Sequence, residues 1–180
     1  MQIRDKEFKI FIPFKDIEKR VKELAFTINE DYDRLNPLFI AVLNGSFMFA
    51  SDLIREIHTP CEISFIKLSS YETFSSTGNV NELIGLKEDI KGRHLIIIED
   101  IVDTGNTISH IQPLLQKKRI ASLSVVTLLF KPTALKKEVD IKYVGFSIPE
   151  TFVVGYGLDY DGLGRNLKDL YQLIEKEEDF

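Results

Sequence analysis

Cysteine occurs once in this 180-residue chain, tryptophan not at all and histidine three times. A lone Cys61 excludes an internal disulfide framework and any multi-cysteine zinc site, and His58, His94 and His110 are too scattered to suggest a metal cluster. No apolar run approaches the roughly 20 residues of a membrane-spanning helix. The opening Met1-Gln2-Ile3-Arg4-Asp5-Lys6-Glu7 lacks the apolar centre of a secretory signal. A reducing, cytoplasmic location away from membranes is therefore expected, with Cys61 as a small buried residue. Basic residues are also short: 23 Lys+Arg against 28 Asp+Glu leave a net charge of −5. That balance argues against a nucleic-acid partner, and at first sight against any strongly anionic ligand. The basic clusters, Lys117-Lys118-Arg119 and Lys136-Lys137, are short enough to be solvated helix ends.

What is present is an ordinary globular composition, 44% hydrophobic and 28% charged, with no repeat, linker or low-complexity segment. Residues 1-180 are expected to form a single domain. Apolar residues at Ile17, Val21, Leu24, Ala25 and Ile28 mark one face of a helix from Asp16 to about Tyr32. Leu38 to Leu43 is a continuous apolar run, the pattern of a buried strand, and it passes through Asn44-Gly45-Ser46 into a helix from Phe47 to Ile57. Further strands are expected at Cys61–Leu68, His94–Ile98, Ala121–Phe130, Ile141–Phe146 and Phe152–Tyr156, and helices at Thr107–Lys118 and Leu167–Glu175. Pro113 falls inside the first of these helices, so a kink or a late start is expected there. The acidic end, Glu175 to Asp179, reads as a solvated tail. Alternating strands and helices predict an α/β fold with a mostly parallel central sheet and flanking helices.

In such sheets ligands gather at the carboxyl ends of the strands. After His94–Ile98 the chain reads Glu99-Asp100-Ile101-Val102-Asp103-Thr104-Gly105-Asn106-Thr107: two adjacent carboxylates, a third, then a small polar turn opening a helix. The turn can aim backbone N–H groups and hydroxyls at one anion, with the helix N-terminus adding partial positive charge. Adjacent acids on a strand project to opposite faces and can grip vicinal sugar hydroxyls or a hydrated Mg2+. Acids near a helix start are also favourable through the helix dipole alone, so composition leaves the two readings level.

The Glu99–Thr107 segment resembles the signature of type I phosphoribosyltransferases, which bind phosphoribosyl pyrophosphate. Similarity to the hypoxanthine and hypoxanthine-guanine branch runs from Leu38 to Leu170. The resemblance implies the type I fold, with a small hood over the carboxyl ends of the strands. It implies that Glu99, Asp100, Asp103, Thr104, Gly105, Asn106 and Thr107 hold the phosphoribosyl group, with Asp103 as the acid/base residue at N7 of the purine. Leu43-Asn44-Gly45 resembles the pyrophosphate loop, with a cis peptide between Leu43 and Asn44. Many relatives carry Lys at the position of Asn44, so pyrophosphate here must rely more on backbone N–H groups. Arg165 aligns with a pyrophosphate-binding arginine, although an ion pair with Asp159, Asp161 or Asp169 would also account for it. Ser70 and Tyr71, followed by Ser76-Thr77-Gly78, resemble a flexible loop that closes over the site.

For the purine, the resemblance implies Lys131 as donor to the 6-oxo group, Phe152 as the stacking ring, Val153 as a source of backbone hydrogen bonds, and Asp159. It implies Mg2+ as cofactor, held by Glu99, Asp100 and Asp159. Adenine carries a donor where hypoxanthine carries its 6-oxo acceptor, so a buried Lys131 would reject it. The expected activity is purine salvage: hypoxanthine, and guanine, converted to IMP or GMP with release of pyrophosphate. A homo-oligomer, dimer or tetramer, is implied by the family alone. The alternatives are an enzyme preferring xanthine or guanine, and a non-catalytic nucleotide-sensing regulator of the same fold that binds RNA or DNA. The latter should display a basic face, which the charge pattern does not supply.

Overall fold

A computed structural model describes residues 1–68 and 86–174, with the backbone alone of 83–84. The elements in chain order are β1 (Gln2–Ile3), β2 (Lys6–Ile12), α1 (Phe14–Asp31), β3 (Leu38–Leu43), α2 (Phe47–Arg55), β4 (Glu62–Leu68), β5 (Leu83–Ile84), β6 (His94–Val102), α3 (Asn106–Gln116), β7 (Ser122–Phe130), β8 (Tyr143–Ser147), β9 (Val153–Val154) and β10 (Leu170–Leu173). They form two sheets. A six-stranded sheet runs β5-β4-β3-β6-β7-β8, parallel throughout except for the short β5 at its edge. A four-stranded antiparallel sheet, β1-β2-β10-β9, makes the hood.

The unbroken apolar runs of β3 and β6 follow from cover on both faces. Phe39, Ala41, Ile96 and Ile98 pack with Ile17, Val21 and Leu24 of α1 and Phe49, Ala50 and Leu53 of α2. Leu38, Ile40, Leu95 and Ile97 pack on the other face against Ile108, Ile111 and Leu115 of α3. The hood joins the first of these cores through Ile12, Val153 and Leu170. Helix α1 lacks a side-chain cap of its own because Pro13 precedes it. A carboxylate distant in sequence takes that place: Asp169 Oδ1 accepts the Phe14 N–H at 2.7 Å. That bond ties α1 to the hood.

Several expectations change. Residues 167–175 do not form a helix: Leu170–Leu173 is a strand paired with β2 and β9, and Glu175 onward, with the acidic tail, lies outside the described residues. Its composition suits a helix, but the open edge of β2 offers a ladder that local propensity cannot match. The strand expected from Phe152 to Tyr156 shrinks to Val153–Val154, because φ turns to 104° at Gly155, 47° at Tyr156 and 100° at Gly157. Helix α3 does not start late. It begins at Asn106 behind a left-handed Gly105 (φ 79°) and continues past Pro113, the cost of one missing amide being offset by burial of Ile108, Ile111 and Leu115. The strand expected to stop at Ile98 continues to Val102, which puts Glu99 and Asp100 on a strand. Cys61 is half-buried, and burial followed by the Glu62 charge pushes its thiol pKa up. Among the described residues no helix is long and apolar enough to cross a membrane.

Candidate active site

Strand alternation splits the two adjacent acids. Glu99 turns to the α3 side, where it lines a cavity of about 70 Å³ together with Asp103, Thr104, Gly105, Asn106 and Thr107. It is buried, its Oε2 has no hydrogen-bond partner among the described residues, and burial first, then the Asp100 charge, pushes its carboxyl well above the usual range. Asp100 turns the other way. Its Oδ1 accepts the Ile101 N–H at 2.9 Å, and its other oxygen fills the space that a β-carbon on Gly45 would occupy. Burial pushes the Asp100 pKa to about 6, with Asp159 adding to the rise and backbone N–H groups and Arg165 opposing it. Gly45 is therefore the residue that lets the turn after β3 lie directly on the Asp100 carboxylate.

The turn from Thr104 to Thr107 runs directly into α3. Gly105 opens α3, and the Thr104 carbonyl accepts N–H groups from Lys136 at 3.0 Å and Lys137 at 3.1 Å, which anchors the loop from behind. The parallel register pairs Val102 with Phe130, so the residues that follow each strand, Asp103 and Lys131, emerge side by side. Lys131 Nζ lies 2.9 Å from Asp103 Oδ2, with the Lys131 side chain only 11% exposed against 44% for Asp103. A solvated lysine is thereby excluded.

On the opposite wall, the Leu43–Asn44 peptide is cis, Asn44 is exposed, and Gly45 lies against Gly157. Arg165 Nη2 pairs with Asp159 Oδ1 at 2.6 Å, while Arg165 Nη1 donates to the Gly157 carbonyl at 2.7 Å and the Gly162 N–H donates to Asp159 Oδ2 at 2.7 Å. The ion-pair reading of Arg165 thus holds, with Asp159 as the partner. Phe152 is not a core aromatic: it is 42% exposed, edge-on to Tyr160 at 5.7 Å, and has Lys6 Nζ 5.9 Å from its ring centre. Val153 is buried in β9. Ser70 and Tyr71 lie outside the described residues.

The proposed metal carboxylates are only partly convergent. Asp100 and Asp159 sense each other's charge across one wall, Glu99 faces the other side, and among the described residues no three His, Cys, Asp or Glu side chains form a ready metal cluster. Two oxygen donors nonetheless fit Mg2+, which usually keeps several waters and takes its remaining ligands from substrate phosphates. Sequence reasoning gave no individual role to Tyr156, Gly157 or Lys6 and read Asp52 as an exposed helix position, whereas its carboxylate accepts the Tyr156 hydroxyl. The glycines on either side of Tyr156 were the available signal.

The phosphoribosyl transferase domain family matches residues 13–161. Hypoxanthine phosphoribosyltransferase of Haemophilus influenzae is 40% identical over 172 residues, covering 93% of this chain and 96% of that protein. Hypoxanthine-guanine phosphoribosyltransferase of Dictyostelium discoideum is 44% identical over 168 residues, 90% of this chain and 93% of that protein. The crystal structure of a hypoxanthine phosphoribosyltransferase from Staphylococcus aureus superposes with a TM-score of 0.86 at 40% identity, covering 94% of this chain and 92% of that one. With two adjacent acids, a small polar turn opening a helix and a lysine-aspartate pair at the carboxyl ends of a parallel sheet, this chain belongs to the phosphoribosyl transferase domain family, among the hypoxanthine and hypoxanthine-guanine phosphoribosyltransferases.

Proposed function

We propose that this protein transfers the 5-phosphoribosyl group of phosphoribosyl pyrophosphate to N9 of hypoxanthine, and of guanine, for purine salvage. The observation that carries this reading is the buried Lys131 held on Asp103 beside the Thr104–Thr107 cradle.

The N–H groups and hydroxyls of residues 104–107 hold the 5-phosphate at the start of α3. Backbone N–H groups at Asn44 and Gly45, with the Arg165 guanidinium, hold the pyrophosphate. Glu99 and Asp100 address the ribose hydroxyls, and Phe152 stacks on the base. Lys131 donates to the purine 6-oxo oxygen, and on doing so it releases Asp103. N9 forms its bond to ribose C1 as the bond from C1 to the pyrophosphate oxygen breaks, and Asp103 takes the proton that leaves N7. Positive charge grows on the ribose as that bond loosens, in a site lined by Glu99 and Asp100. Asp100 and Asp159 would hold Mg2+ together with the substrate's phosphates, and the ion supplies charge neutralisation for the leaving pyrophosphate. We assign the same cytoplasmic setting and homo-oligomeric assembly that the family implies.

The direct test supplies phosphoribosyl pyrophosphate and Mg2+ with hypoxanthine, guanine, xanthine or adenine separately and measures nucleotide and pyrophosphate formed. Product with hypoxanthine and guanine, and none with adenine, is the expected result. Absence of product with every 6-oxopurine overturns the reading.

A further inference from the structure

The two walls of the site come from distant parts of the chain: the pyrophosphate loop after β3 and the segment from Phe152 to Asp159 in the hood. A side-chain hydrogen bond joins them. The Tyr156 hydroxyl donates to Asp52 Oδ2 at 2.6 Å, joining the hood segment to α2, the helix that the pyrophosphate loop opens into. Tyr156 is 2% exposed, and its ring lies 6.2 Å from that of Phe14 at the start of α1. Burial, with the Asp52 carboxylate adding to it, holds the phenol above its ordinary range, so the hydroxyl keeps its proton and acts as the donor.

The surrounding backbone shows why this bond matters. Tyr156 sits at φ 47°, a left-handed conformation that is costly for a residue with a ring, so neighbouring contacts must hold it there. Its N–H donates to the Leu167 carbonyl at 2.8 Å, and the next N–H, of Gly157, donates to the Arg165 carbonyl at 3.0 Å. Gly157 then lies against the Gly45 carbonyl so closely that no β-carbon fits between them. The contacts at Leu167 and Arg165 are internal to the hood. Among the described contacts that reach across to the pyrophosphate side, the Gly157 approach and the apolar packing on α2 carry no directional bond, so the hydroxyl of Tyr156 sets the alignment.

We propose that Tyr156 and Asp52 are positioning residues that fix the purine-binding segment relative to the pyrophosphate loop, setting the distance between the base and the ribose it attacks. The inference rests on the transferase reading above. A bond that aligns two reactants already held by separate loops affects turnover more than the binding of either one. Tyr156→Phe keeps the ring and deletes the hydroxyl. It should lower kcat roughly ten- to a hundredfold, the scale of a sub-ångström to one-ångström misplacement, while dissociation constants for phosphoribosyl pyrophosphate and for IMP stay within about twofold. Asp52→Ala should match it, Asp52→Asn, which still offers an acceptor oxygen, should recover most of the turnover, and the double variant Tyr156→Phe/Asp52→Ala should be no worse than either single one.

Wild-type turnover in Tyr156→Phe overturns the proposal. So does a loss in both binding constants that parallels a fall in melting temperature, or losses that multiply in the double variant. If Tyr156→Phe does not fold, the contrast between Asp52→Ala and Asp52→Asn decides, since equal turnover in the two sinks the pair. An inactive wild type instead counts against the transferase reading alone.

Discussion

Lys131 and Asp103 face each other across 2.9 Å because the strands that deliver them are in parallel register, Val102 beside Phe130. The ammonium proposed to read the purine and the carboxylate proposed to take its proton thus hold one another until a base arrives. In the proposed reaction, a 6-oxo oxygen takes the Lys131 ammonium and leaves Asp103 available as a base.

Each partner should fail differently. Asp103→Asn is expected to lower kcat roughly a hundredfold or more, the usual worth of a positioned general base, with little change in KM for either substrate. Lys131→Met should instead raise KM for hypoxanthine at least about tenfold and leave binding of phosphoribosyl pyrophosphate intact, since a buried hydrogen bond from a charged donor is lost. Steady-state kinetics on both variants checks the split; unchanged turnover in Asp103→Asn removes it from the chemistry.

Gly45→Ala tests the contact between the proposed pyrophosphate loop and Asp100. The added methyl would fall on the carboxylate, so one or both must move, at a cost on the order of 1–3 kcal/mol for an overpacked site. A lower melting temperature and weaker pyrophosphate binding are expected. Asp100→Ala in the same chain removes the obstructing atoms and should restore the melting temperature.

Asp100 also predicts how stability responds to pH. Its folded-state pKa of about 6 stands above the ordinary 3.8, so between those values the folded chain binds more protons than the unfolded one. Stability should therefore fall as pH rises through about 4 to 6, and the penalty, on the order of 3 kcal/mol, is fully present above that window. Glu99, raised for the same reasons, acts in the same direction. Asp100→Asn should melt higher than the wild type at pH 7.5 and equal to it near pH 4. Parallel melting curves at both pH values would contradict this.

The site acids also bear on how an anion can be held. Asp100 and Asp159 place negative charge beside the proposed phosphates, so the anion should bind poorly without a cation. Chelation of divalent metal should weaken phosphoribosyl pyrophosphate binding at least about tenfold as read by calorimetry. Mg2+ with pyrophosphate should raise the melting temperature of the wild type more than that of Asp100→Asn. Affinity untouched by chelation would refute the assignment.

The parallel sheet was legible because β3, β6 and β7 are apolar on both faces and α1 keeps a strict helical stripe. The Glu99–Thr107 segment was legible because its acids, turn and helix start lie within nine residues of one another. The hood was not. β2 alternates weakly, with Ile10 57% exposed, and β10 is a strand only because β2 and β9 flank it.

The amino-acid sequence by itself determined the α/β order of elements and the run of acids and small polar residues from Glu99 to Thr107 that opens a helix, since each depends on neighbours along the chain. Tertiary structure alone decided which face each acid serves, that Lys131 meets Asp103, that Arg165 takes Asp159, and that Tyr156 reaches Asp52. These pairs are separated by 6 to 104 positions, and only strand register and the packing of the hood onto the sheet bring them within hydrogen-bond distance.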